Sequence, residues 1–169
     1  MQTARVYAYV LADDGSIPNS RLPLLIYPGA LDLIGEDPCG AVEATLRTHG
    51  WGHGWRNGIL SYHHYHSTAH EALVAYSGSA RVQFGGEQGV AATVNPGDVV
   101  IIPAGVGHKN LAASADFRVI GAYPSGQAWD ICYGKPGERP RADQNIARVA
   151  LPTADPLFGQ DGPLRTYWP

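Results

Sequence analysis

Glycine and proline break this sequence into short segments, and that punctuation constrains its fold more than any other feature. The 169 residues include 21 glycines and 13 prolines, which separate short runs rich in Val, Ile, Leu and Tyr. The densest turn signals are Ser77-Gly78-Ser79, Gly85-Gly86, Asn95-Pro96-Gly97-Asp98 and Pro103-Ala104-Gly105. Short apolar runs between closely spaced turns are typical of strands in antiparallel sheets. The sequence therefore predicts an all-β protein folded as a barrel or jelly roll.

The apolar runs also predict where the strands lie, and they leave room for one convincing helix. Strands are predicted near residues 6–11, 24–27, 59–66, 71–77, 80–84, 91–94, 99–102, 108–111 and 117–123, with 146–151 as one further candidate. The N-terminal helix is predicted from Pro38 to about His49, because a proline opens the segment and Gly50 follows it. Residues 49–56 are predicted to be a loop that connects this helix to the barrel, and the alternative is a glycine-hinged flap over the barrel mouth.

The chain length fits a single domain that spans residues 1–169. Within it we expect N-terminal strands and the helix at 1–57, a barrel core at 58–124 and a proline-rich arm at 125–169. The arm is expected to be ordered and extended, packed on the barrel or on a second subunit.

Charge and hydropathy exclude several classes of partner. The formal net charge of −3 argues against nucleic acid, because binding to phosphates needs a basic surface. No apolar run approaches the roughly 20 residues of a membrane-spanning helix, and no signal-peptide pattern opens the sequence. Cys39 and Cys132 form no C-x-x-C pair and are interpreted as free thiols. We therefore predict a cytoplasmic protein.

A cluster of histidines is the strongest chemical signal. Four of the seven histidines lie between positions 63 and 70: His63, His64, His66 and His70. Because side chains alternate along a strand, His64 and His66 share one face and can converge on a single ion. Glu71 reaches the same ion only if the chain bends after Ser67. Once the strand is broken, spacing alone leaves both His70 and Glu71 as candidate ligands.

Two spaced motifs in this region resemble those of a known superfamily. The pattern Gly58-x5-His64-x-His66-x4-Glu71-x6-Gly78 resembles the first conserved motif of the cupins. The pattern Gly97-x5-Pro103-x-Gly105-x2-His108 is similar to the second cupin motif. It departs from that motif at Ala112, where the family has an asparagine that is not a ligand.

The resemblance implies a double-stranded β-helix, a jelly-roll cupin barrel, that holds one divalent transition metal. The implied ligands are His64, His66, Glu71 and His108, so the resemblance prefers Glu71 to His70. Three imidazoles and a carboxylate suit Fe, Mn, Ni, Co or Zn, and four protein ligands on an octahedral ion leave two positions open. Cupins commonly pair their barrels, so a homodimer is expected as well.

The function expected from this resemblance is metal-dependent chemistry on a small polar molecule, by an oxygenase or by an isomerase or lyase. The alternative is a non-enzymatic cupin that binds or senses a small molecule. Tyr62 is a candidate catalytic residue, because on a strand it would share the face of His64 and His66. Arg81 and Gln83 share a strand face, and if that face lines the pocket they would favour an anionic or hydroxylated ligand.

Overall fold

The structure, a computed structural model, describes residues 5–169, so residues 1–4 of the predicted domain lie outside the described part. Nine strands and three helices are present in the described range. They are β1 (Tyr7–Leu11), β2 (Ser20–Tyr27), α1 (Pro38–Thr48), β3 (Trp51–Asn57), β4 (Glu71–Ser77), β5 (Ala80–Phe84), β6 (Val90–Val94), β7 (Val99–Ile102), β8 (His108–Ala113), β9 (Arg118–Pro124), α2 (Arg141–Ile146) and α3 (Leu164–Tyr167).

The strands form two sheets that face each other. The larger sheet has the order β1-β2-β7-β4-β9-β3, and the smaller has the order β6-β5-β8. All strand pairs are antiparallel. The prediction of an all-β jelly roll with one N-terminal helix ahead of the barrel is confirmed. The short helices α2 and α3 were not predicted.

Alternate residues of the strands fill the space between the two sheets. Leu73 and Val100 are paired across β4 and β7, and both belong to one buried cluster with Phe84 of the smaller sheet. Glu71 stands on β4 with the same parity as Leu73, so its side chain points into the barrel as well. The interior is therefore apolar along most of its depth and polar at the end where Glu71 lies.

The opposite face of the larger sheet is also covered. Val74 and Ile101 are buried there against α1 and the C-terminal arm. Helix α1 begins at a capped terminus, where the side chain of Asp37 accepts a hydrogen bond of 2.9 Å from the Gly40 amide. Trp168 of the arm is buried and donates its indole N–H to the Pro23 carbonyl at 2.9 Å. The arm thus packs on its own barrel.

The predicted loop or flap at residues 49–56 is instead largely strand β3, so that prediction was wrong. β3 pairs with β9 through an irregularity between Gly52 and Trp55. Gly54 permits this pairing, because a Cβ atom there would lie 2.6 Å from the Gly121 carbonyl oxygen. The three glycines and two tryptophans of this region do not predict a strand from local propensity. The strand forms because the segment pairs with β9.

Two other predicted strands are absent. Residues 59–66 make only isolated bridges, one between His64 and His108 and one between Tyr65 and Cys132. The further candidate, residues 146–151, begins at the last residue of α2 and forms no strand. Over residues 5–169, none of the helices has the length and apolar character needed to cross a bilayer.

Candidate metal centre

Three histidine rings converge at one end of the barrel interior. One ring nitrogen from each of His64, His66 and His108 lies within 4.8 Å of the others, and all three residues are buried. The bridge between His64 and His108 is closed by two backbone hydrogen bonds of 3.2 and 2.9 Å, so their ring centroids are only 4.0 Å apart. The two segments that carry the motif residues thus meet at this point.

Backbone carbonyls fix the orientation of each ring. The Nδ1 atom of His64 lies 3.1 Å from the backbone carbonyl oxygen of Tyr62, and the Nδ1 atom of His108 lies 3.3 Å from the backbone carbonyl oxygen of Val106. The Nδ1 atom of His66 forms a hydrogen bond with the backbone carbonyl oxygen of Asp130. A neutral imidazole that donates from Nδ1 keeps a lone pair on Nε2. All three rings are therefore held in the tautomer that metal-binding histidines use.

Glu71, the first residue of β4, lies next to His66 and His108 inside the barrel. Its Oε2 atom is 3.4 Å from Nε2 of His66 and 3.2 Å from Nε2 of His108. The residue is 1% exposed, and this oxygen has no hydrogen-bond donor in the described protein. Two ligand atoms at right angles, each about 2.1 Å from an ion, are ~3.0 Å apart. The spacing and the unpaired oxygen both fit a divalent cation bound between these groups.

The other oxygen of Glu71 is held by a relay of hydrogen bonds. Tyr123 at the end of β9 donates its hydroxyl to Oε1 at 3.0 Å, and Trp55 donates its indole N–H to the Tyr123 oxygen at 2.7 Å. Outer contacts of this kind orient a ligating carboxylate. Sequence reasoning missed Tyr123, although the alternation of Val119, Gly121 and Tyr123 on β9 signals that it faces inward.

Burial and mutual charge set the electrostatics of the cluster. Burial lowers the pKa of His64 to about 3, which keeps its ring neutral. Burial opposes ionisation of Glu71, but the rings of His66 and His108 outweigh it and hold its pKa well below the usual range. Burial alone would lower the pKa of His66. The negative charge of Glu71 has the larger effect, so the pKa of His66 is raised above its ordinary value. Without a metal, the buried carboxylate therefore depends on a proton at His66 for its counter-charge.

Asp130 in the C-terminal arm fixes the bend between His66 and Glu71. Its carboxylate accepts hydrogen bonds from the backbone N–H groups of Ser67 at 2.6 Å and Thr68 at 3.3 Å, and from the Ser67 hydroxyl. Its own carbonyl orients His66. The bend that Glu71 requires is present here. Asp130 was missed because it is more than 60 residues distant along the chain and belongs to no motif.

His70 and Glu71 face different parts of the molecule. Nδ1 of His70 accepts a hydrogen bond of 2.9 Å from the Ala104 amide, and its ring packs 4.8 Å from that of Trp168. The residue lines a separate groove between residues 11–22 and 143–151. Of the two candidates that spacing left open, only Glu71 points at the histidine cluster.

A cavity of about 270 Å³ opens above His64, Glu71 and His108. Its other lining residues are mainly apolar or aromatic: Trp55, Asn57, Gly58, Ile59, Leu60, Leu73, Tyr123, Trp129 and Ile131. Arg81 is exposed on the outer side of β5, whereas its neighbours Val82 and Phe84 fill the core. The strand face that carries Arg81 and Gln83 thus points away from the barrel interior.

Tyr62 lies beside the cluster rather than in the cavity wall. It is 47% exposed, and its ring packs 5.7 Å from that of Tyr133 and 6.2 Å from that of His64. The argument for a catalytic Tyr62 assumed a strand at residues 59–66, and that strand is absent. The hydroxyl in the cavity belongs to Tyr123 instead.

A jelly-roll barrel with inward-facing histidines at these spacings defines a cupin, and the comparisons with known proteins agree. Residues 55–120 match the family described as "Cupin domain". The protein YjlB of Bacillus subtilis (strain 168), described as uncharacterized, is 46% identical over 161 residues, which cover 95% of this chain and 94% of the relative. The chain therefore contains a cupin domain and belongs to the same family as YjlB over nearly its whole length.

The solved structures that resemble parts of this chain are more distant. Procruciferin from Brassica napus is 23% identical, with a TM-score of 0.39 over 47% of this chain and 21% of procruciferin. A DUF861 family protein from Thermotoga maritima is 23% identical, with a TM-score of 0.33 over 51% of this chain and 92% of that protein. The ribosomal oxygenase YcfD from Escherichia coli, solved with cobalt and 2-oxoglutarate, is 13% identical, with a TM-score of 0.40 over 60% of this chain and 32% of YcfD.

Proposed function

We propose that this protein binds one divalent transition metal ion through His64, His66, Glu71 and His108 and uses it in chemistry on a small molecule held in the cavity. The observation that carries the proposal is the buried Oε2 of Glu71, which has no donor and lies beside two oriented imidazoles. An unpaired buried carboxylate oxygen costs stability, and a cation removes that cost. The donor set suits Fe, Mn, Ni, Co or Zn.

Such an ion, when bound by four protein ligands with positions left open, supplies Lewis-acid chemistry or activation of oxygen. The chain itself positions the groups around it. Tyr123 and Trp55 hold the Glu71 carboxylate, and the apolar walls limit access of water to the reacting molecule. Burial and the charge of Glu71 raise the pKa of Tyr123 well beyond its usual range. Its hydroxyl donates to Oε1 of Glu71 and accepts from Trp55, so Tyr123 serves to position the carboxylate.

The lining of the cavity favours an oxygenase over an isomerase or lyase. Isomerases and lyases commonly move a proton between carbon atoms and need a free acid or base. Outside the metal cluster, Tyr123 is the one titratable side chain among the residues that line the cavity. The alternative is a non-enzymatic cupin that holds its ligand through the metal, and the same lack of acid and base groups supports it.

Elemental mass spectrometry on the untagged protein tests the metal site. We expect close to one equivalent of a transition metal, and loss of it in His64→Ala. His63→Ala is the matched control, because His63 bonds to Glu87 at 2.7 Å and lies outside the cluster. Absence of metal from the unaltered protein after reconstitution would exclude the proposal. Oxygen consumption by the iron-loaded protein with candidate substrates then separates an oxygenase from a binding protein.

We further propose a cytoplasmic homodimer. Cys39 and Cys132 are both free thiols, which suits a reducing compartment. Strand β1 ends the larger sheet, and its outer edge has no partner strand in the described chain. Val10 on this strand is 72% exposed. Pairing of two barrels along β1 would cover both the open backbone edge and this side chain.

A further inference from the structure

We infer that the molecule held above the metal centre has a flat, largely apolar body, an oxygen donor at one end and at most one negative charge. The inference rests on the proposed metal site and specifies its ligand. It differs from the polar molecule that resemblance to cupins led us to expect. Three features of the cavity support it: an aromatic wall, an aliphatic mouth and the absence of basic side chains from its lining.

The aromatic wall consists of Trp55, Tyr123 and Trp129. The rings of Tyr123 and Trp129 are stacked, with centroids 6.0 Å apart and an angle of 21° between them. The polar atoms of Trp55 and Tyr123 are already bonded to each other and to Glu71. Gly121 leaves room for the wall, because a Cβ atom there would lie 2.4 Å from the Trp55 ring. Trp55 and Tyr123 thus offer the ligand ring faces rather than free hydrogen-bonding groups, which suits a planar apolar body.

Aliphatic side chains line the rest of the cavity and its mouth. Leu73 is buried at depth, whereas Leu60 is 38% exposed and Ile131 is 36% exposed at the rim. Apolar side chains grouped around an opening mark a binding site for an apolar molecule. The ligand therefore reaches from the metal centre to the surface through apolar contacts.

Charge in the cavity limits what the ligand can carry. Neither lysine nor arginine is found among the lining residues, and Asn57 is the one amide side chain. Lys109 points towards Glu87, at 3.8 Å, outside this cavity. Phosphate and sulfate are usually bound by arginine, lysine or several backbone N–H groups, and sugars by several polar side chains. A divalent ion with one ionised Glu71 leaves a single positive charge, which one anionic oxygen balances.

Calorimetry on zinc-loaded protein with 4-methylphenol, 4-ethylphenol and 4-propylphenol tests the inference. Phenols have one oxygen donor and do not chelate, so zinc stays with the protein. We expect the Kd to fall about fourfold for each added methylene group that enters the cavity. Glycerate and inorganic phosphate are the polar comparison probes, and they should bind at least tenfold more weakly than 4-propylphenol.

Two leucine variants make the test specific. Leu60→Ser should reduce the gain in affinity per methylene, because Leu60 lines the mouth. Leu111→Ser is the matched control, since Leu111 is 46% exposed on β8 and is not among the residues that line the cavity, and it should leave the series unchanged. Zinc content is measured on every sample. Protein that lacks zinc contradicts the proposed metal site. The inference about the ligand is overturned if zinc-loaded protein binds the three alkylphenols with the same Kd, or if it binds glycerate or phosphate more tightly than 4-propylphenol.

Discussion

The segment from Gly58 to His108 supplies the four proposed metal ligands, whereas residues 127–133 of the C-terminal arm supply groups that hold and cover them. The first segment carries two spaced motifs, and the second carries none. Yet the backbone carbonyl of Asp130 accepts a hydrogen bond from His66, and its carboxylate accepts one from the Ser67 amide. The ring of Trp129 packs with its centroid 5.6 Å from that of His66. The motifs thus identify the ligands locally, whereas the orientation of His66 and the bend that follows it depend on a distant part of the chain. The predictions below test whether the two segments divide metal binding and positioning in this way.

The largest expected effect is loss of metal when Glu71 loses its charge. Glu71→Gln should weaken metal binding by more than about 100-fold, since loss of a ligand exceeds the 10–100-fold cost of losing an outer contact. The measurement is competition for zinc against a chelator of known affinity. His70→Asn is the control, because an asparagine oxygen can accept the Ala104 amide hydrogen in place of Nδ1. Equal loss in both variants would contradict the assignment of Glu71 over His70.

Asp130→Asn tests the positioning role of the arm. The variant keeps the backbone carbonyl that bonds to His66 and weakens only the hold of the carboxylate on Ser67 and Thr68. Metal binding should therefore weaken by about 10-fold, the lower end of the usual cost of losing an outer contact. The control is Asp155→Asn, because Asp155 is equally part of the arm but bonds to Tyr27 and the Leu164 amide far from the cluster. Both variants should lower the melting temperature, and only Asp130→Asn should change the metal affinity. If both changed it equally, the arm would act through overall stability alone.

The contribution of His66 to the pH dependence of stability should have opposite signs with and without metal. In metal-free protein the pKa of His66 is raised above 6.5 by Glu71, against the effect of burial. The proton on His66 therefore stabilises this form fully below about pH 6.5, and that stability is lost as pH rises through the raised pKa. Bound metal replaces the proton, so metal-loaded protein should become more stable over the same rise in pH.

Thermal unfolding at pH 6 to 8 with and without zinc measures the two slopes. His64 and His70 add a slope of the opposite sign below about pH 7, since burial lowers their pKa values to about 3 and about 4 when folded, while the unfolded chain still protonates them near 6.5. The contribution of His66 is therefore measured as the difference between the unaltered protein and His66→Ala. Parallel slopes for the two forms would mean that the metal does not compete with a proton at His66. His66→Ala should remove the slope that His66 causes in the metal-free protein.

Trp129→Leu separates the covering role of the arm from its positioning role. The loss of the ring should weaken binding of 4-propylphenol by about 5- to 10-fold, the usual loss for one aromatic contact. Metal affinity should stay within a factor of two, because Trp129 contacts the His66 ring and offers it no hydrogen bond. Calorimetry and chelator competition on the same sample give both values. A large loss of metal would place Trp129 among the positioning groups instead.

The contrast between the two segments also explains what the sequence could predict. The strands β4, β5 and β7 are short apolar runs between turn signals, and their residues are the ones predicted. β3 was missed because Gly52, His53 and Gly54 lack strand propensity and gain their structure by pairing with β9. The four motif residues could be assigned through resemblance, since their spacing is fixed by the fold that the motif marks.

The cavity walls could not be assigned in the same way. Trp129 and Ile131 come to the cavity through the fold of a proline-rich arm, and their local sequence carries no periodicity that predicts a site. The apolar character of the cavity depends on these two residues together with Trp55, which lies in the missed strand. The resemblance to cupins therefore led us to expect a polar ligand, whereas the cavity walls lead us to infer a largely apolar one.

The smallest effect concerns a third region, the edge strand β1, which contributes no residue to the histidine cluster or to the lining of the cavity. Val10→Lys should convert the proposed homodimer to a monomer, because a charged side chain at an open strand edge opposes pairing of two sheets. Sedimentation velocity gives the oligomeric state. Metal content and affinity for 4-propylphenol should stay unchanged, since the ligands and the cavity walls all belong to one chain. A monomer that also lost its metal would show that a second copy of the chain contributes to the centre.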